Sequence, residues 1–421
     1  MDYHMTLVGL LQERAKKTPD GLAYSFLSNG EDLETSLTYS SLDTEAKKTA
    51  YRLSAKGQPG DRVLLLFQSG TSVLKAFFGV LYAGMIPVPC PAPKRNKADV
   101  RFASIFNSAK PTIALVPAEL ASLAEKWQEL NPSTAPLNYQ VISDSNSEIA
   151  IESPIDSDLL GWMPPNITGD SIAFLQYTSG STSAPKGVVV SHENVLQNLA
   201  HLDHGWDHDK NSVMVTWLPY FHDMGLIYGL LMPLFRGFPC YIMSPTAFAQ
   251  KPYRWLKALS DFKGTHTAAP NFAFDLCLNS ISDSQRDGLD LRTWSVALNA
   301  AETVRLKTIE NFNEFFSGSG LSANTICPGF GLAEGTLKIT ALPKESPLEH
   351  LHLNRQQLAA GIISDEAVAS ENTVAVVGCG YPVADTIVSI VDPESHCLVD
   401  NETIGEVWAS GPAIAKGYWD N

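Results

Sequence analysis

The segment Tyr177–Gly187 (YTSGSTSAPKG) concentrates groups that bind phosphate. Three serines, two threonines, two glycines and one lysine stand between two predicted strands, so hydroxyl and backbone N–H groups would surround a turn suited to phosphate oxygens. It is not a Walker A loop, because Lys186 stands between Pro185 and Gly187 instead of between glycine and serine or threonine. A flexible polar hairpin would explain the glycines and serines, but not a lysine held by a preceding proline. We therefore interpret the segment as a phosphate-binding loop.

The segment Trp217–Gly225 (WLPYFHDMG) offers groups that could hold a substrate. It follows a predicted strand, at the edge where open α/β sheets bind ligands. His222 and Asp223 would orient the substrate, and the aromatic residues of the segment would supply apolar walls. A single histidine among aromatic residues can also be purely structural, so this segment alone leaves that alternative open.

Two further segments, Leu298–Glu302 (LNAAE) and Pro328–Thr336 (PGFGLAEGT), each follow a predicted strand. Small residues in the first would let backbone groups approach a flat base, and Phe330 in the second would stack on it. Glu334 is a hard oxygen ligand suited to Mg²⁺ that bridges phosphates. Ordinary tight turns would also explain the glycines. Only the combination of segments indicates a nucleotide site.

Composition limits the classes of protein to which the chain can belong. With 421 residues, 44% hydrophobic and 18% charged, it has room for two to three folded units of roughly 150 residues each. Such usage excludes a disordered, collagen-like or coiled-coil protein. The net charge of −15 would repel nucleic acid and anionic membranes, so a polyanion would bind only at a local site. We expect no nucleic-acid partner.

The cysteines and the apolar segments bear on the compartment. Six scattered cysteines without a C-x-x-C pair favour a reducing compartment, with the cytoplasm as the default, over a disulfide scaffold or a zinc site. No targeting segment is expected at the N-terminus. The most apolar window, Val73–Val88, is shorter than a membrane span and is interrupted by Lys75, two glycines and Pro87. We expect a buried helix plus a strand there, and no integral membrane protein.

Alternating apolar runs and helix-period stretches predict doubly wound α/β lobes. A stretch rich in Ser, Asp, Glu and Pro, Ser143–Pro165, is the expected connector between a first lobe (residues 1–165) and a second (166–335). The strands expected in the first lobe are Asp61–Phe67, Ile86–Val88, Thr112–Val116 and Tyr139–Ile142, and the helices are Thr71–Ala83, Val100–Ala109 and Ala118–Leu130.

The second lobe continues the α/β pattern, and the remainder (residues 336–421) changes to short strands, as in a small barrel or sandwich. The strands expected in the second lobe are Ile172–Tyr177, Val188–Val190, Val213–Trp217, Cys240–Met243, Thr265–Ala268 and Ala323–Cys327. Its helices are one capped by Ser191, one at Trp255–Asp261 and one at Val304–Phe316. The short strands are Thr373–Val377, Thr386–Asp392 and Gly405–Ser410.

The motifs YTSGSTSAPKG, HDMGL, GFGLAE and SGPAIAKGYW, in this order and at these separations, resemble those of the adenylate-forming superfamily of acyl-CoA synthetases, peptide-synthetase adenylation domains and luciferases. The resemblance covers nearly the whole chain. TWLPYFHDMGLIYG, the segment Ala269–Cys277, LNAAETVR and TLKIT are similar to the fatty acyl-AMP ligase branch. This resemblance implies a large N-terminal adenylation domain, with two doubly wound α/β lobes stacked around a ligand cleft and a small C-terminal β-barrel-like subdomain.

Between TLKIT and Val374 lies a segment, Leu342–Asn372, that resembles the insertion of fatty acyl-AMP ligases. Such an insertion is implied to block the CoA-dependent step, so free CoA is expected to be a poor acceptor. A neutral surface loop is the alternative. If the segment acts as a brake, it is expected to pack through apolar residues such as Leu348, Leu351, Leu353 and Leu358.

The sequence departs from the family pattern in three places. Phe330 stands where tyrosine is usual, and Ala300 replaces a frequent glycine; neither is expected to abolish binding. The family continues past GYW into an aspartate for the ribose hydroxyls and a small mobile domain with a catalytic lysine, whereas this sequence stops at Asn421. We therefore expect it to be the large N-terminal domain of a longer enzyme.

The resemblance implies that ATP and Mg²⁺ activate a fatty acid to an acyl-adenylate, with release of pyrophosphate and later transfer to an acyl carrier protein. A fatty acyl-CoA ligase, or an acyl- or nucleotide-binding module, stays an alternative. His222, Glu334 and Lys186 would be catalytic, with Glu334 on Mg²⁺. The loop residues implied for the phosphates are Thr178, Ser179, Gly180, Ser181, Thr182 and Lys186. Those implied for the adenine side are Ala300, Ala301, Glu302, Phe330, Gly331 and Leu332. Those proposed for the carboxylate and acyl chain are Phe221, His222, Met224, Ile227, Phe272 and Phe274.

Overall fold

Two sheets with helices on their faces organise the chain in the computed structural model. The structure describes residues 6–93, 99–131, 137–142, 163–178, 185–366, 368–383, 385–400 and 402–420. The elements up to residue 141 are α1 (Leu7–Lys17), β1 (Leu22–Ser28), β2 (Asp32–Thr38), α2 (Tyr39–Ser54), β3 (Arg62–Leu65), α3 (Ser72–Tyr82), β4 (Ile86–Pro89), α4 (Val100–Ala109), β5 (Ile113–Val116), α5 (Ala118–Leu130) and β6 (Asn138–Val141).

The first sheet is parallel and has the strand order β4-β3-β5-β6. Alternate residues of β3 enter different cores, because successive side chains of a strand point to opposite faces. Val63 and Leu65 belong to the larger core, whereas Leu64 packs with Phe102 and Trp127 in a smaller one. Helices therefore cover both faces of this sheet, as is usual for parallel strands.

The second sheet has nine strands and is parallel in its centre and antiparallel at both edges. Their order across the sheet is β17 (Tyr381–Pro382), β14 (Lys338–Ala341), β13 (Ile326–Gly331), β12 (Val296–Asn299), β11 (His266–Ala269), β9 (Met214–Thr216), β10 (Cys240–Ile242), β1 and β2. The elements between residues 172 and 335 are β7 (Ile172–Tyr177), β8 (Gly187–Ser191), α6 (His192–Asp203), β9 (Met214–Thr216), a π-helix (Met224–Leu231), α7 (Met232–Arg236), β10 (Cys240–Ile242), α8 (Pro245–Gln250), α9 (Tyr253–Asp261), β11 (His266–Ala269), α10 (Asn271–Ser280), α11 (Asp283–Arg286), β12 (Val296–Asn299), α12 (Leu306–Phe316), β13 (Ile326–Gly331) and short 3₁₀ turns at Ser317–Ser319 and Ala333–Gly335.

Short antiparallel ribbons follow the second sheet. β15 pairs with β16, and β18 pairs with β19. These last elements are β14 (Lys338–Ala341), β15 (His350–Asn354), α13 (Arg355–Ala359), β16 (Thr373–Val377), β17 (Tyr381–Pro382), β18 (Ile387–Val391) and β19 (Glu406–Ser410).

The sheets do not follow the division that we expected at residue 165. β1 pairs in parallel with β10, and β2 continues that sheet, so residues 22–38 belong to the second sheet. The β7–β8 hairpin, which we expected in the second lobe, lies against β4 of the first sheet. Leu175 and Tyr177 of this hairpin enter the smaller core. Residues 143–162 of the expected connector lie outside the described part of the chain.

The segment expected to be an insertion forms β15, α13 and the approach to β16. Leu353 is buried, and the half-buried Leu348 packs against the larger core. Leu358 is half-buried, whereas Leu351 is exposed. Of the four leucines that we named, Leu348 therefore docks the segment on the larger core, whereas Leu351 does not.

Candidate active site

A cavity of 510 Å³, the main cavity, lies at the carboxyl ends of β7, β9, β12 and β13. This is the edge at which parallel α/β sheets bind ligands. Arg101 and Gln176 line it as well, although sequence reasoning missed both: Arg101 lies in α4, far from any motif. The residues proposed from the sequence that the cavity brings together are Thr178, Phe221, His222, Met224, Ala300, Ala301, Gly331, Leu332 and Glu334.

His222 stands in a tight loop between β9 and the π-helix. Asp223 Oδ1 accepts a hydrogen bond from the Met224 N–H at 2.7 Å and lies 2.6 Å from His222 Nδ1. The hydrogen bond to Asp223 raises the pKa of His222, and it outweighs the opposing effect of desolvation. A Cβ on Gly225 would lie 2.2 Å from the Pro219 carbonyl oxygen, so only glycine permits this loop. Asp223 thus holds Nδ1, which leaves Nε2 for a ligand.

Two hydrogen-bonded anchors fix the same loop from either side. The buried hydroxyl of Tyr220 accepts from the Phe67 N–H at 2.9 Å and lies within 2.9 Å of backbone carbonyl oxygens at the ends of β3 and β4. Gln176 Nε2 donates to the Phe221 carbonyl oxygen at 2.8 Å. The position of His222 is therefore set by contacts to the first sheet and to β7.

The phosphate-binding loop is described only at its two ends. The Thr178 N–H donates to the Lys186 carbonyl oxygen at 3.2 Å, closing the hairpin. The Lys186 ammonium lies 4.8 Å from the centroid of the Tyr418 ring, within the range of a cation–π contact. The proposed residues that lie outside the described part of the chain are Ser179, Gly180, Ser181 and Thr182.

Glu334 is held by the C-terminal segment. The Tyr418 hydroxyl donates to Glu334 Oε1 at 2.7 Å, and the Ala415 N–H donates to the Glu334 carbonyl oxygen at 2.8 Å. Thr336 adopts a positive φ of 68° and donates through its hydroxyl to the Ala413 carbonyl oxygen at 2.6 Å. The KGYW motif contributes to the family resemblance, but it does not predict that Tyr418 contacts Glu334.

A second cavity of 490 Å³ adjoins the main cavity, and both are lined by Ala301 and Gly331. Phe330 lines the second cavity and is 39% exposed, so part of its side chain is accessible to a ligand. Glu302 also lines it, while its Oε1 accepts from the Phe272 N–H at 2.6 Å. β16 forms an apolar wall. A planar base is bound by a stacking surface, by backbone groups and by an apolar wall, and this cavity offers all three.

The remaining residues proposed for the acyl chain do not line either cavity. Ile227 is fully buried in the larger core. Phe274 is fully buried too, and its ring packs edge-on at 5.1 Å from that of Phe312. Phe272 is 49% exposed and lies beside Trp217. Apolar side chains near a motif thus belong partly to the core and partly to the surface.

Lys338 of TLKIT is buried and does not line the main cavity. Its ammonium donates to the His201 carbonyl oxygen at 2.7 Å and lies 4.8 Å from the ring of Trp206. Burial lowers its pKa to about 8. Because His201 stands in the last turn of α6, the lysine meets the partial negative charge of a helix end. This contact accounts for Lys338 without a role in the main cavity.

Oxygen ligands suited to Mg²⁺ are present in the main cavity. Mg²⁺ is usually bound by one or two carboxylates together with phosphate oxygens and water, and Glu334, which lines the same cavity as Thr178, fits that donor set. In the part of the chain that the structure describes, no group of three or more His, Cys, Asp or Glu could hold a metal by itself.

Across the same residues, none of the helices has the length and apolar character to cross a membrane.

Residues 11–419 match the family model described as AMP-binding enzyme. The chain therefore belongs to the AMP-binding enzymes. It is 36% identical to a medium-chain-fatty-acid–[acyl-carrier-protein] ligase of Moorena producens, over 99% of this chain and 70% of the relative. It is 34% identical to a long-chain-fatty-acid–AMP ligase of Mycobacterium tuberculosis, over 97% of this chain and 70% of the relative.

A solved structure with a similar fold is also a fatty acid AMP ligase. The fatty acid AMP ligase from Legionella pneumophila matches with a TM-score of 0.88 and 37% identity, over 99% of this chain and 70% of that chain. Within the AMP-binding enzymes, the chain is a fatty acyl-AMP ligase, as its motifs predict. The expected α/β fold class is likewise confirmed.

Proposed function

We propose that this chain joins a fatty acid to ATP as a fatty acyl-adenylate, whose acyl group then passes to an acyl carrier protein. The observation that carries the proposal is the pair of adjoining cavities: His222 and Glu334 line one, Phe330 lines the other, and Ala301 lines both. A carboxylate and a triphosphate can therefore lie in one cavity and a base in the cavity that shares its wall. Relatives named as carrier-protein ligases support this acceptor.

In the proposed reaction, a carboxylate oxygen of the fatty acid attacks the α-phosphorus of ATP. The bond from that phosphorus to the bridging oxygen breaks, and pyrophosphate leaves with the electron pair. Such a displacement needs positioning and charge neutralisation more than covalent help. His222, with Nδ1 held by Asp223, would meet the carboxylate through Nε2–H. Lys186 and Thr178 would hold the leaving phosphates.

Mg²⁺ bound at Glu334 would supply neutralisation of phosphate charge. Glu334 is the residue that would hold the cation, and the hydrogen bond from Tyr418 to its Oε1 orients the carboxylate. The acyl chain would start at His222 between Phe221 and Met224, which line the same cavity.

Free CoA would be a poor acceptor under this proposal, since the segment docks on the larger core through Leu348. In an enzyme extended by a mobile domain, removing Leu348–Gly361 would then increase thioester formation with free CoA.

All six cysteines are free, which supports a reducing compartment, and we place the reaction in the cytoplasm.

The test is to incubate the chain with ATP, Mg²⁺ and fatty acids of graded length, with and without CoA. Fatty-acid-dependent pyrophosphate release and acyl-AMP, detected by mass, would support the proposal. Acyl-CoA as the main product would favour the CoA ligase alternative, and ATP binding without acyl-AMP would favour a binding module. His222→Ala should reduce turnover, whereas His204→Ala, at an exposed position, serves as the matched control.

A further inference from the structure

Tyr418 lies between two charged side chains on the phosphate side of the site. Its hydroxyl donates a hydrogen bond to Glu334 Oε1 at 2.7 Å, and the Lys186 ammonium lies 4.8 Å from the centroid of its ring. One aromatic side chain thus contacts both the cation proposed for the phosphates and the carboxylate proposed for Mg²⁺.

The backbone of Tyr418 is fixed as an added strand along β8. Tyr418 forms an antiparallel bridge with Val188, and the Trp419 N–H donates to the Gly187 carbonyl oxygen at 2.7 Å. Because successive side chains of a strand point to opposite faces, Trp419 packs against the smaller core. Tyr418 therefore faces the site, toward Glu334.

The residues just before Tyr418 are tied to other elements of the site. The Ala415 N–H donates to the Glu334 carbonyl oxygen at 2.8 Å. Asn194, in the first turn of α6, donates through Nδ2 to the carbonyl oxygens of Pro412 and Ile414 at 2.9 and 3.0 Å. The segment cannot shift Tyr418 without breaking these hydrogen bonds.

We propose that Tyr418 is a positioning residue of the nucleotide site, which keeps Lys186 and Glu334 apart so that each charge stays available to its own ligand. The inference rests on the proposed function. A lysine and a glutamate that reach the same ring would otherwise attract each other and form an ion pair. The ring face holds the ammonium, while the hydroxyl orients the carboxylate, as hydrogen bonds commonly do for carboxylates that bind metals.

The test separates the ring from the hydroxyl by calorimetric titration with ATP alone and with Mg·ATP. Tyr418→Phe keeps the ring, so affinity for ATP alone should stay as in the wild type. The gain in affinity on adding Mg²⁺ should fall about tenfold, the usual effect of removing a hydrogen bond to a metal ligand. Tyr418→Leu should lose that gain and also bind ATP alone about two- to fivefold more weakly, because the cation–π contact is lost.

Trp419→Phe is the matched control, since it alters the same added strand on the opposite face. It should bind Mg·ATP within about twofold of the wild type, because phenylalanine keeps an aromatic ring against the smaller core and leaves the contacts of Tyr418 to Glu334 and Lys186 in place. If Trp419→Phe lost as much affinity for Mg·ATP as Tyr418→Leu, Tyr418 would only help to dock the added strand, and the inference would be overturned. An unchanged Mg²⁺ gain in Tyr418→Phe would also overturn it. Failure of the wild-type chain to bind Mg·ATP would instead overturn the proposed function, and the inference with it.

Discussion

His222 Nδ1 lies 2.6 Å from Asp223 Oδ1, so the imidazole of the main cavity is tied to a carboxylate on the neighbouring residue. The hydrogen bond to Asp223 raises the pKa of His222, while the positive charge of Arg101 acts in the opposite direction. His222 therefore stays protonated to a higher pH than an ordinary histidine. A protonated imidazole at this position attracts the carboxylate of a fatty acid.

Asp223→Asn is expected to move the pH dependence of fatty-acid binding to lower pH. In the wild type, attraction is present below the raised pKa of His222 and is lost as pH rises through it, so KM for the fatty acid should increase about tenfold. Without the carboxylate, burial and the positive charge of Arg101 remain, and both lower the pKa of His222, so the same increase should occur at a lower pH than in the wild type. Profiles of KM and kcat against pH check this, with the exposed Asp20→Asn as control. Superimposable profiles for wild type and Asp223→Asn would contradict it.

Lys186→Ala is expected to weaken Mg·ATP binding about tenfold to a hundredfold, because a hydrogen bond to a charged group contributes about 1.5–3 kcal/mol. A chain of net charge −15 must create its phosphate affinity locally. Calorimetric titration measures the loss. The control is Lys416→Ala, which removes an exposed lysine paired with Asp170 at 2.8 Å. Equal affinity of wild type and Lys186→Ala would remove Lys186 from the site.

The local sequence pattern predicts individual helices and strands better than it predicts which strands pair with each other. The bounds of α4, α5, β7 and β16 agree with those expected from the sequence, because helix-period or continuous apolar runs end there at clear breaks. Membership of β1 in the second sheet was not predictable in this way. The pairing of Tyr24 in β1 with Cys240 in β10 joins residues far apart in the chain. The apolar composition of a strand does not determine which strand pairs with it.

The same limit applies to the site. Glu334 and His222 stand in recognisable motifs, and the structure brings both to one cavity. Tyr418 contacts Glu334 across 84 positions of sequence, a contact that only the folded chain reveals. The sequence predicts Phe274 for the acyl chain, whereas the structure buries it in the larger core, because a phenylalanine of the core and one of a cavity wall look alike in a sequence.

His192 is expected to make the fold sensitive to acid. It is buried, its Nδ1 accepts from the Leu7 N–H at 3.2 Å, and burial lowers its pKa to about 4. The unfolded chain takes up this proton near pH 6.5, so the stabilisation is complete above about 6.5 and declines as pH falls toward 4. The decline amounts to about 3 kcal/mol at about 1.4 kcal/mol per pH unit.

His192→Asn keeps a hydrogen-bond acceptor but cannot titrate, so its free energy of unfolding should fall less steeply with acid over the same range. Urea unfolding at a series of pH values measures the slope, which is informative even if the variant is less stable throughout. The exposed His204→Asn should retain the slope of the wild type. A variant at position 192 that declines as steeply as the wild type would assign the acid sensitivity to other groups.

Leu353→Ala and Leu351→Ala together test whether the segment through β15 is docked or a neutral surface loop. Leu353 is 5% exposed and Leu351 is 45% exposed in the same strand. The first substitution should cost about 2–5 kcal/mol, as for buried leucines, and the second about 0.5 kcal/mol or less. Leu353 pairs with Val374, which lines the second cavity, so loss of docking should also weaken ATP binding severalfold. Denaturant unfolding and calorimetry of both variants give the two readouts. Equal, small effects would mean that the segment only covers the surface, and would remove the physical basis for its restricting the acceptor.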